Sequence, residues 1–416
     1  MLSINVSASN KPSSSIIAFK MSALSGVYFK SCDRKYRLKT EHNGAITSWF
    51  IEVSYHVQMA NILAFESFDG GSHKQFRETV SSYSNHDWTW ITRPAHSWKW
   101  RMVLSAQEMV EDAMRQGVQK PEAIFCTSLT DVAALRSFLP RGWRDIPVIL
   151  YMHENQLAYP TNDSRDASFA FTNLQSVLTA DLAIFNSKWN LDSFIDGIET
   201  LLSKSWDTSV HDIGTAIRNN STVAWVPVEL PPSDVVNSRV LHNTDNEGRS
   251  ELKNATTIVW PHRWEHDKGP DKFLEIARTY SEKLNLRWIV LGQQFKEVPE
   301  SLQTFQSEFS DRIEHMGYVE SKGEYWNWLQ RADWVLSTAN HEFFGIAVVE
   351  ALFAGCLPWL PEKLSYRELL PAAARGLSPD SVIDSEPIRC AIHEHLSMAQ
   401  AEPASNRIDS LITNVM

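Results

Sequence analysis

The chain has 416 residues, which at roughly 150 residues per domain implies two to three folding units. An apolar fraction of 43% and a charged fraction of 21% exclude wholesale disorder, and no apolar run approaches the ~18 residues of a membrane-spanning helix. The net charge of −11, from 39 basic and 50 acidic residues, excludes a protein that coats nucleic acid without specificity, although it leaves room for a local basic cleft.

Residues 1–58 differ from the rest of the chain. They open on a Ser/Asn/Lys-rich stretch, show no sustained period, and carry seven basic and three acidic residues, so +4 against −15 for the remainder. The opening MLSINVSASNKPSSS lacks the basic-then-apolar order of a secretory signal. We expect 1–58 to be a poorly packed N-terminal extension, with Met59 or a residue near it as the true or ancestral start. The four cysteines, Cys32, Cys126, Cys356 and Cys390, lie far apart with no CxxC spacing, which argues against a disulfide framework or a structural zinc and fits a reducing cytoplasm.

From Ile62 onward, short apolar runs alternate with segments of helical composition. The runs are Ile62–Phe65, Trp88–Ile91, Ala123–Cys126, Val148–Met152, Leu182–Phe185 and Val223–Val226, with helices expected over Leu129–Leu139, Ala167–Ala180 and Trp189–Leu202. A polar stretch, His242–Asn254, reads as a linker. The alternation then restarts with strands at Thr256–Trp260, Trp288–Leu291, Ile313–Met316, Trp334–Thr338 and Leu357–Leu360, and helices near Asp271–Leu284, Gly323–Arg331 and Phe344–Gly355. Such alternation predicts two parallel α/β units facing across a cleft, followed by a helical tail free to pack back on either.

The first run leads into Phe68-Asp69-Gly70-Gly71-Ser72-His73-Lys74-Gln75. Paired glycines let the backbone turn sharply and approach a ligand, and Ser72 with Gln75 has the spacing of a capping box. The segment is equally a tight β–α turn. Val148–Met152 ends in His153-Glu154-Asn155-Gln156, polar groups at the carboxyl end of a buried strand, where open α/β sheets place their ligands. They either meet a ligand or satisfy loop backbone.

His262-x-x-Glu265-His266 formally matches a zinc pattern, but Pro261 and Gly269-Pro270 bracket it, so it reads as a strand-to-helix loop and no metal is expected. Arg263 and Lys268 on that loop suit a diphosphate, one as a fork and one as a point charge. Glu342 and Glu350, eight residues apart in ANHEFFGIAVVEAL, stand at a helix start and inside its apolar body. A helical rise separates them by roughly 12 Å, too far for the ~5 Å pair of a retaining glycosidase but suited to two ends of an extended ligand.

The Glu342-to-Glu350 spacing together with Arg263 and Lys268 resembles the retaining GT-B glycosyltransferases of the glycogen-synthase-like group. ILAFESFDGGSHKQ, ILYMHENQLAYP, FNSKWNLDSF, VWPHRWEHDKGP and ANHEFFGIAVVEALFAGCLP together are similar to the tRNA-queuosine α-mannosyltransferase family, over about Asn61 to Leu370. The resemblance leaves 1–58 and the tail uncovered, and the linker is shorter than in animal relatives.

It implies a GT-B fold of two Rossmann-like domains: 59–241 for the acceptor, 242–254 as linker, 255–375 for the nucleotide-sugar donor, and 376–416 as a helical tail. It further implies that Arg263 and Lys268 hold the donor diphosphate, Glu350 the ribose and Glu342 the sugar hydroxyls. The amides of Phe343, Phe344 and Gly345 would meet the distal phosphate. Gly70 and Gly71 would close over the phosphates, His153 would lie by the sugar, and Asn186 and Ser187 at the cleft floor. The implied reaction moves mannose from GDP-mannose, without a metal or other cofactor, to queuosine in the anticodon loop of tRNA(Asp), in the cytoplasm. Departure of the leaving group is aided by Arg/Lys charge, with front-face attack and retention.

Trp98-Lys99-Trp100-Arg101 interleaves aromatic and basic groups, as stacking on splayed anticodon bases requires, and His73, Lys74, Glu154 and Asn155 complete the candidate acceptor contacts. The Trp98–Arg101 run is equally an amphipathic helix start. Two other functions stay open: a GT-B enzyme with another sugar and a small-molecule or lipid acceptor, and a noncatalytic RNA- or nucleotide-binding relative. No basic amphipathic helix stands out for a membrane acceptor. Oligomeric state is not legible.

Overall fold

The computed structural model describes residues 2–8, 34–42, 45–55, 59–157, 167–204, 212–232, 255–293 and 298–416. The linker expected at His242–Asn254 lies outside the described residues. The chain divides into two units, Met1–Ala60 and Asn61–Met416.

In the first unit, β1 (Leu2–Ala8), β2 (Arg34–His42) and β3 (Ala45–Tyr55) form an antiparallel sheet in the order β1-β3-β2. The stretch read as lacking a period therefore contains strands. β3 shows why: Trp49, Ile51, Val53 and Tyr55 alternate with Ser48, Phe50, Glu52 and Ser54, a period of two that Phe50 obscures.

The second unit holds two wholly parallel sheets. The first is built from β4 (Asn61–Asp69), β5 (Asp87–Pro94), β6 (Ala123–Thr127), β7 (Val148–Met152), β8 (Leu182–Phe185) and β9 (Ser221–Val223), in the order β5-β4-β6-β7-β8-β9. All five residues of β6 and of β7 are buried, as expected of strands covered by helices on both faces. The second sheet comprises β10 (Thr256–Pro261), β11 (Leu286–Leu291), β12 (Ile313–Gly317), β13 (Trp334–Leu336) and β14 (Leu357–Trp359), in the order β12-β11-β10-β13-β14. Strand order reverses beside β4 in the first sheet and beside β10 in the second. Loops leaving the carboxyl ends there form the crevices where such sheets bind ligands.

Tryptophan fills the second core. Trp260, Trp264, Trp288, Trp334 and Trp359 are all buried in one cluster, with Phe273 4.6 Å from Phe305 and 5.1 Å from Trp260, ring centre to ring centre. The tail is helical over Ser385–His395 and Ala401–Val415. It returns to the first sheet's layer, where buried Asp409 accepts hydrogen bonds from the Ser84 hydroxyl at 2.6 Å and the Asn85 amide at 2.7 Å.

Three local readings are corrected. The capping box does not form: the helix Gly71–Tyr83 starts from Gly70 with no side-chain cap, and Gln75 is used elsewhere. The helix expected from Phe344 begins at Ile346, because Gly345 at φ +90° sets its start. The strand expected at Val223–Val226 ends at Val223, ahead of Pro227.

Gly269 joins the short turn His266–Lys268 to the helix Pro270–Ser281 at φ +66°, and a Cβ there would lie 2.2 Å from the carbonyl oxygen of Thr338. Gly269→Ala therefore combines left-handed strain of about 1–2 kcal/mol with a backbone clash. A loss of about 3 kcal/mol or more in urea denaturation is expected. An unchanged midpoint would mean that the two loops do not meet as described.

Candidate active site

The loops leaving β10 and β13 are tied together. The Asn340 amide donates to the carbonyl of Asp267 at 2.8 Å, and the Thr338 hydroxyl donates to the carbonyl of Lys268 at 2.8 Å. Between them lies the Lys268 ammonium, buried and 3.0 Å from the carbonyl of His341, 3.1 Å from the Asp267 carboxylate and 3.3 Å from the Glu342 carboxylate. Burial opposes its charge, but Glu342 and Asp267 more than offset this and raise its pKa. Arg263, on the same loop, is half exposed and pairs with Glu265 at 3.1 Å.

These groups face the first sheet across a cavity of about 90 Å3. Arg263, Lys268, His341, Glu342 and residues Phe343–Ile346 line one wall, and Ser72, His153, Glu154, Asn186 and Val226 the other. Of the residues the sequence singled out, His153, Glu154, Asn186, Arg263, Lys268, Glu342, Phe343, Phe344 and Gly345 thus meet in one place. Ser72, Val226, His341 and Ile346 were not named as site residues. Ser72 and His341 adjoin residues that were, so adjacency was the available signal.

Gly70 and Gly71 form the turn beside this wall. Gly71 takes φ +53° with open space where a side chain would stand, and a Cβ on Gly70 would lie 2.3 Å from that of Ala95. Asn186 donates to the carbonyl of His153 at 2.7 Å and accepts from Asn190 at 2.9 Å, which fixes the His153 loop from below. Ser187 caps the helix Lys188–Leu202, accepting from the Asn190 amide at 2.9 Å.

Glu350 is 3% exposed inside its helix, and the hydrogen-bonding duty that justifies its burial is visible. It accepts from Gln75 of the opposite layer at 2.8 Å, from the Tyr325 hydroxyl at 2.9 Å and from the Lys322 ammonium at 2.5 Å.

The acceptor candidates divide. His73 is 3% exposed and Asn155 fully buried, so neither presents itself to an acceptor. Asn155 instead donates to Asn190 at 2.8 Å and to Ser193 at 3.1 Å. Lys74 is exposed beside Glu78. Trp98 begins the helix Trp98–Arg115, half-buried against Phe169 with ring centres 5.2 Å apart, while Arg101 pairs with Glu108 at 3.7 Å. Trp100 is 69% exposed, so the tryptophans of this run do not both serve the core.

His73 has a carboxylate at each ring nitrogen: Glu66 at 3.0 Å from Nδ1 and Glu154 at 3.4 Å from Nε2. Glu66, His73 and His153 place ligand atoms within 4.8 Å of one another, a separation a cation could span. The bonding pattern is instead that of an imidazolium, whose nitrogens have no lone pair to give a metal. The zinc-like His262 and His266 also part company: His262 is buried, whereas His266 is exposed in the turn after it.

Burial opposes the His73 charge, yet Glu66 and Glu154 outweigh it and push the pKa up to about 10. A raised folded-state pKa gives stability that is complete below the unfolded value of ~6.5 and is lost as pH rises through about 10. The urea midpoint should therefore fall between pH 7 and 10 more steeply in the unmodified chain than in His73→Asn. Equal slopes would refute the imidazolium.

Two parallel Rossmann-like layers, with cations and a helix start from the second facing a glycine turn and a histidine from the first, define a GT-B glycosyltransferase. Residues 243–386 match the family described as glycosyl transferases group 1. Residues 61–228 match the tRNA-queuosine alpha-mannosyltransferase N-terminal family. A Drosophila melanogaster protein, tRNA-queuosine alpha-mannosyltransferase, is 32% identical over 318 residues, covering 75% of this chain and 82% of the relative. The chain belongs to the tRNA-queuosine α-mannosyltransferase family.

Solved structures share the fold at low identity. The N-terminal domain of Candida albicans trehalose-6-phosphate phosphatase is 11% identical with a TM-score of 0.63, over 86% of this chain and 97% of that one. Trehalose-6-phosphate synthase OtsA is 10% identical with a TM-score of 0.61, over 86% and 99%. Anabaena Alr3699/HepE in complex with UDP and glucose is 13% identical with a TM-score of 0.51, over 86% and 97%.

Proposed function

We propose that this chain transfers mannose, with retention, from GDP-mannose to queuosine in the anticodon loop of tRNA(Asp). The observation that carries the reading is the convergence of Arg263, Lys268, Glu342 and the Phe343–Gly345 helix start on one cavity opposite His153, in a member of this family.

Arg263 and Lys268 supply the positive charge that a departing diphosphate needs, and the helix start adds its own positive end. Lys268 is already held by Glu342, so charge and sugar-binding carboxylate come as one fixed unit. Glu342 orients the sugar by its hydroxyls, and Glu350 takes the ribose by exchanging its present partners. The leaving phosphate oxygen receives the proton of the attacking hydroxyl as the new glycosidic bond forms on the face it leaves. No metal is needed for that charge balance.

The cavity, at about 90 Å3, is well below the roughly 300–1,000 Å3 of sites that enclose small ligands. The nucleotide sugar therefore extends beyond it along the cleft. On the acceptor side, Glu154 reaches the cavity, and in the Trp98–Arg101 run the exposed Lys99 and Trp100 offer a basic and an aromatic group for unstacked bases. The net charge of −11 makes the RNA footprint small and strongly salt-dependent. A cytoplasmic enzyme fits this reading, and no helix among the described residues is long and apolar enough to cross a membrane.

The test incubates the chain with radiolabelled GDP-mannose and two tRNA pools, one with queuosine and one without. Label should enter the queuosine pool alone. Label in neither pool, with GDP binding intact, would overturn donor or acceptor while leaving the diphosphate site.

A further inference from the structure

Sugar transfer uses His153 at the cavity wall but leaves the buried charges behind it without a role. Glu66, within β4, is fully buried; its Oε1 accepts from the Phe68 amide at 2.8 Å and faces His73, and its Oε2 has no partner among the described residues. The His73 ring lies against His153, with centres 4.1 Å apart and planes inclined by 36°. Phe76 and Tyr151 close two further sides of His153, each with its ring centre 4.8 Å away. His153 is thus boxed by three rings, borders the cavity, and keeps a buried Nε2 without a partner among the described residues.

We infer that His73 is a positioning residue for sugar transfer: clamped between Glu66 and Glu154 and stacked on His153, it fixes that ring at the cavity wall and keeps it neutral, able to accept from a hydroxyl of the bound sugar. The inference rests on the cleft being a sugar-transfer site. Its physical basis is the repulsion of like charges. A protonated His73 stacked on His153 opposes a second proton there, so His153 stays neutral and retains a nitrogen able to accept.

Burial first, and the His73 charge second, hold the His153 pKa well below its ordinary value. The other groups facing this pair are Glu66 from β4, Glu154 from the loop after β7 and Tyr151 on β7. Arg263, Lys268, His341 and Glu342 stand across the cavity. Across it, Lys268 and Glu342 engage each other.

The decisive variants are His73→Asn and the double variant His73→Asn/Glu66→Gln. The second also removes the carboxylate that the first leaves without a counter-charge. Nuclear magnetic resonance of 15N-histidine-labelled protein between about pH 5.5 and 8.5 reads each ring directly. In the unmodified chain His73 should be doubly protonated and His153 neutral throughout. In the variants His153 should take up its proton at least one pH unit higher than before. Transfer should follow, with kcat/KM gaining an acid limb that costs the variants about tenfold at pH 6 relative to pH 8.

A neutral His73 or a protonated His153 at pH 7 in the unmodified chain overturns the inference before any variant is made. So does a His153 titration and pH–rate profile identical in the unmodified chain and in either folded variant. Failure of the unmodified chain to glycosylate any tRNA would overturn the sugar-transfer reading instead, a result separable from the titration of the rings.

Discussion

Glu342→Gln should lower transfer by about 10²- to 10³-fold while leaving the thermal midpoint within a few degrees of the unmodified chain. The side chain is 18% exposed and lies in a loop, so the amide fits the same space and keeps one oxygen for a sugar hydroxyl. What it loses is the charge beside Lys268. The ammonium then turns toward Asp267 and the sugar loses its fixed partner. Binding of GDP alone should change by less than about threefold, because on the proposed reading the diphosphate is held by Arg263, Lys268 and the helix start, all of which the variant keeps. A variant that unfolds, or one that transfers normally, would make Glu342 a structural acid.

Lys268→Met should damage both stability and chemistry. The ammonium is nearly buried between Asp267 and Glu342, whose carboxylates are 17% and 18% exposed. Removing one partner of a fully buried pair costs about 3–5 kcal/mol, and partial exposure of both acids reduces that here to about 2–3 kcal/mol. The carbonyl of His341 also loses its donor, so the loop carrying Glu342 loosens. GDP binding should weaken by at least about tenfold and transfer by about 10³-fold. Urea denaturation and titration calorimetry separate the two losses. Full GDP affinity in a folded Lys268→Met would remove the diphosphate from this loop.

The strands of the second unit were legible because parallel strands covered on both faces are written as continuous apolar runs, as in Val148–Met152 and Trp288–Leu291. The helix Glu300–Glu308 was not, since ESLQTFQSE carries its burial chiefly on Leu302 and Phe305 and has too few apolar positions to show a stripe. Arg263, Lys268 and Glu342 could be named because each stands at a strand end or helix start that local pattern exposes. The partners that define their neighbours could not. Ser72 and Gln75 suggested a capping box, yet Gln75 finds Glu350, 275 positions away, and a local rule has no view of that distance. His73 suggests an acceptor contact for a related reason: Glu66 precedes it by only seven residues, but Glu154, the carboxylate at its other ring nitrogen, comes from 81 positions away.

Glu350 accepts from Lys322 and Tyr325 of its own layer and from Gln75 of the other. If a ribose diol takes this carboxylate, as proposed above, it exchanges an interlayer tie for a ligand contact. Linkage makes that exchange reciprocal: whatever strengthens the tie between the layers weakens the nucleotide by the same factor, and a bound nucleotide loosens the layers equally. On that proposal, affinity for the donor and freedom of the two halves to move are coupled through a single glutamine, Gln75.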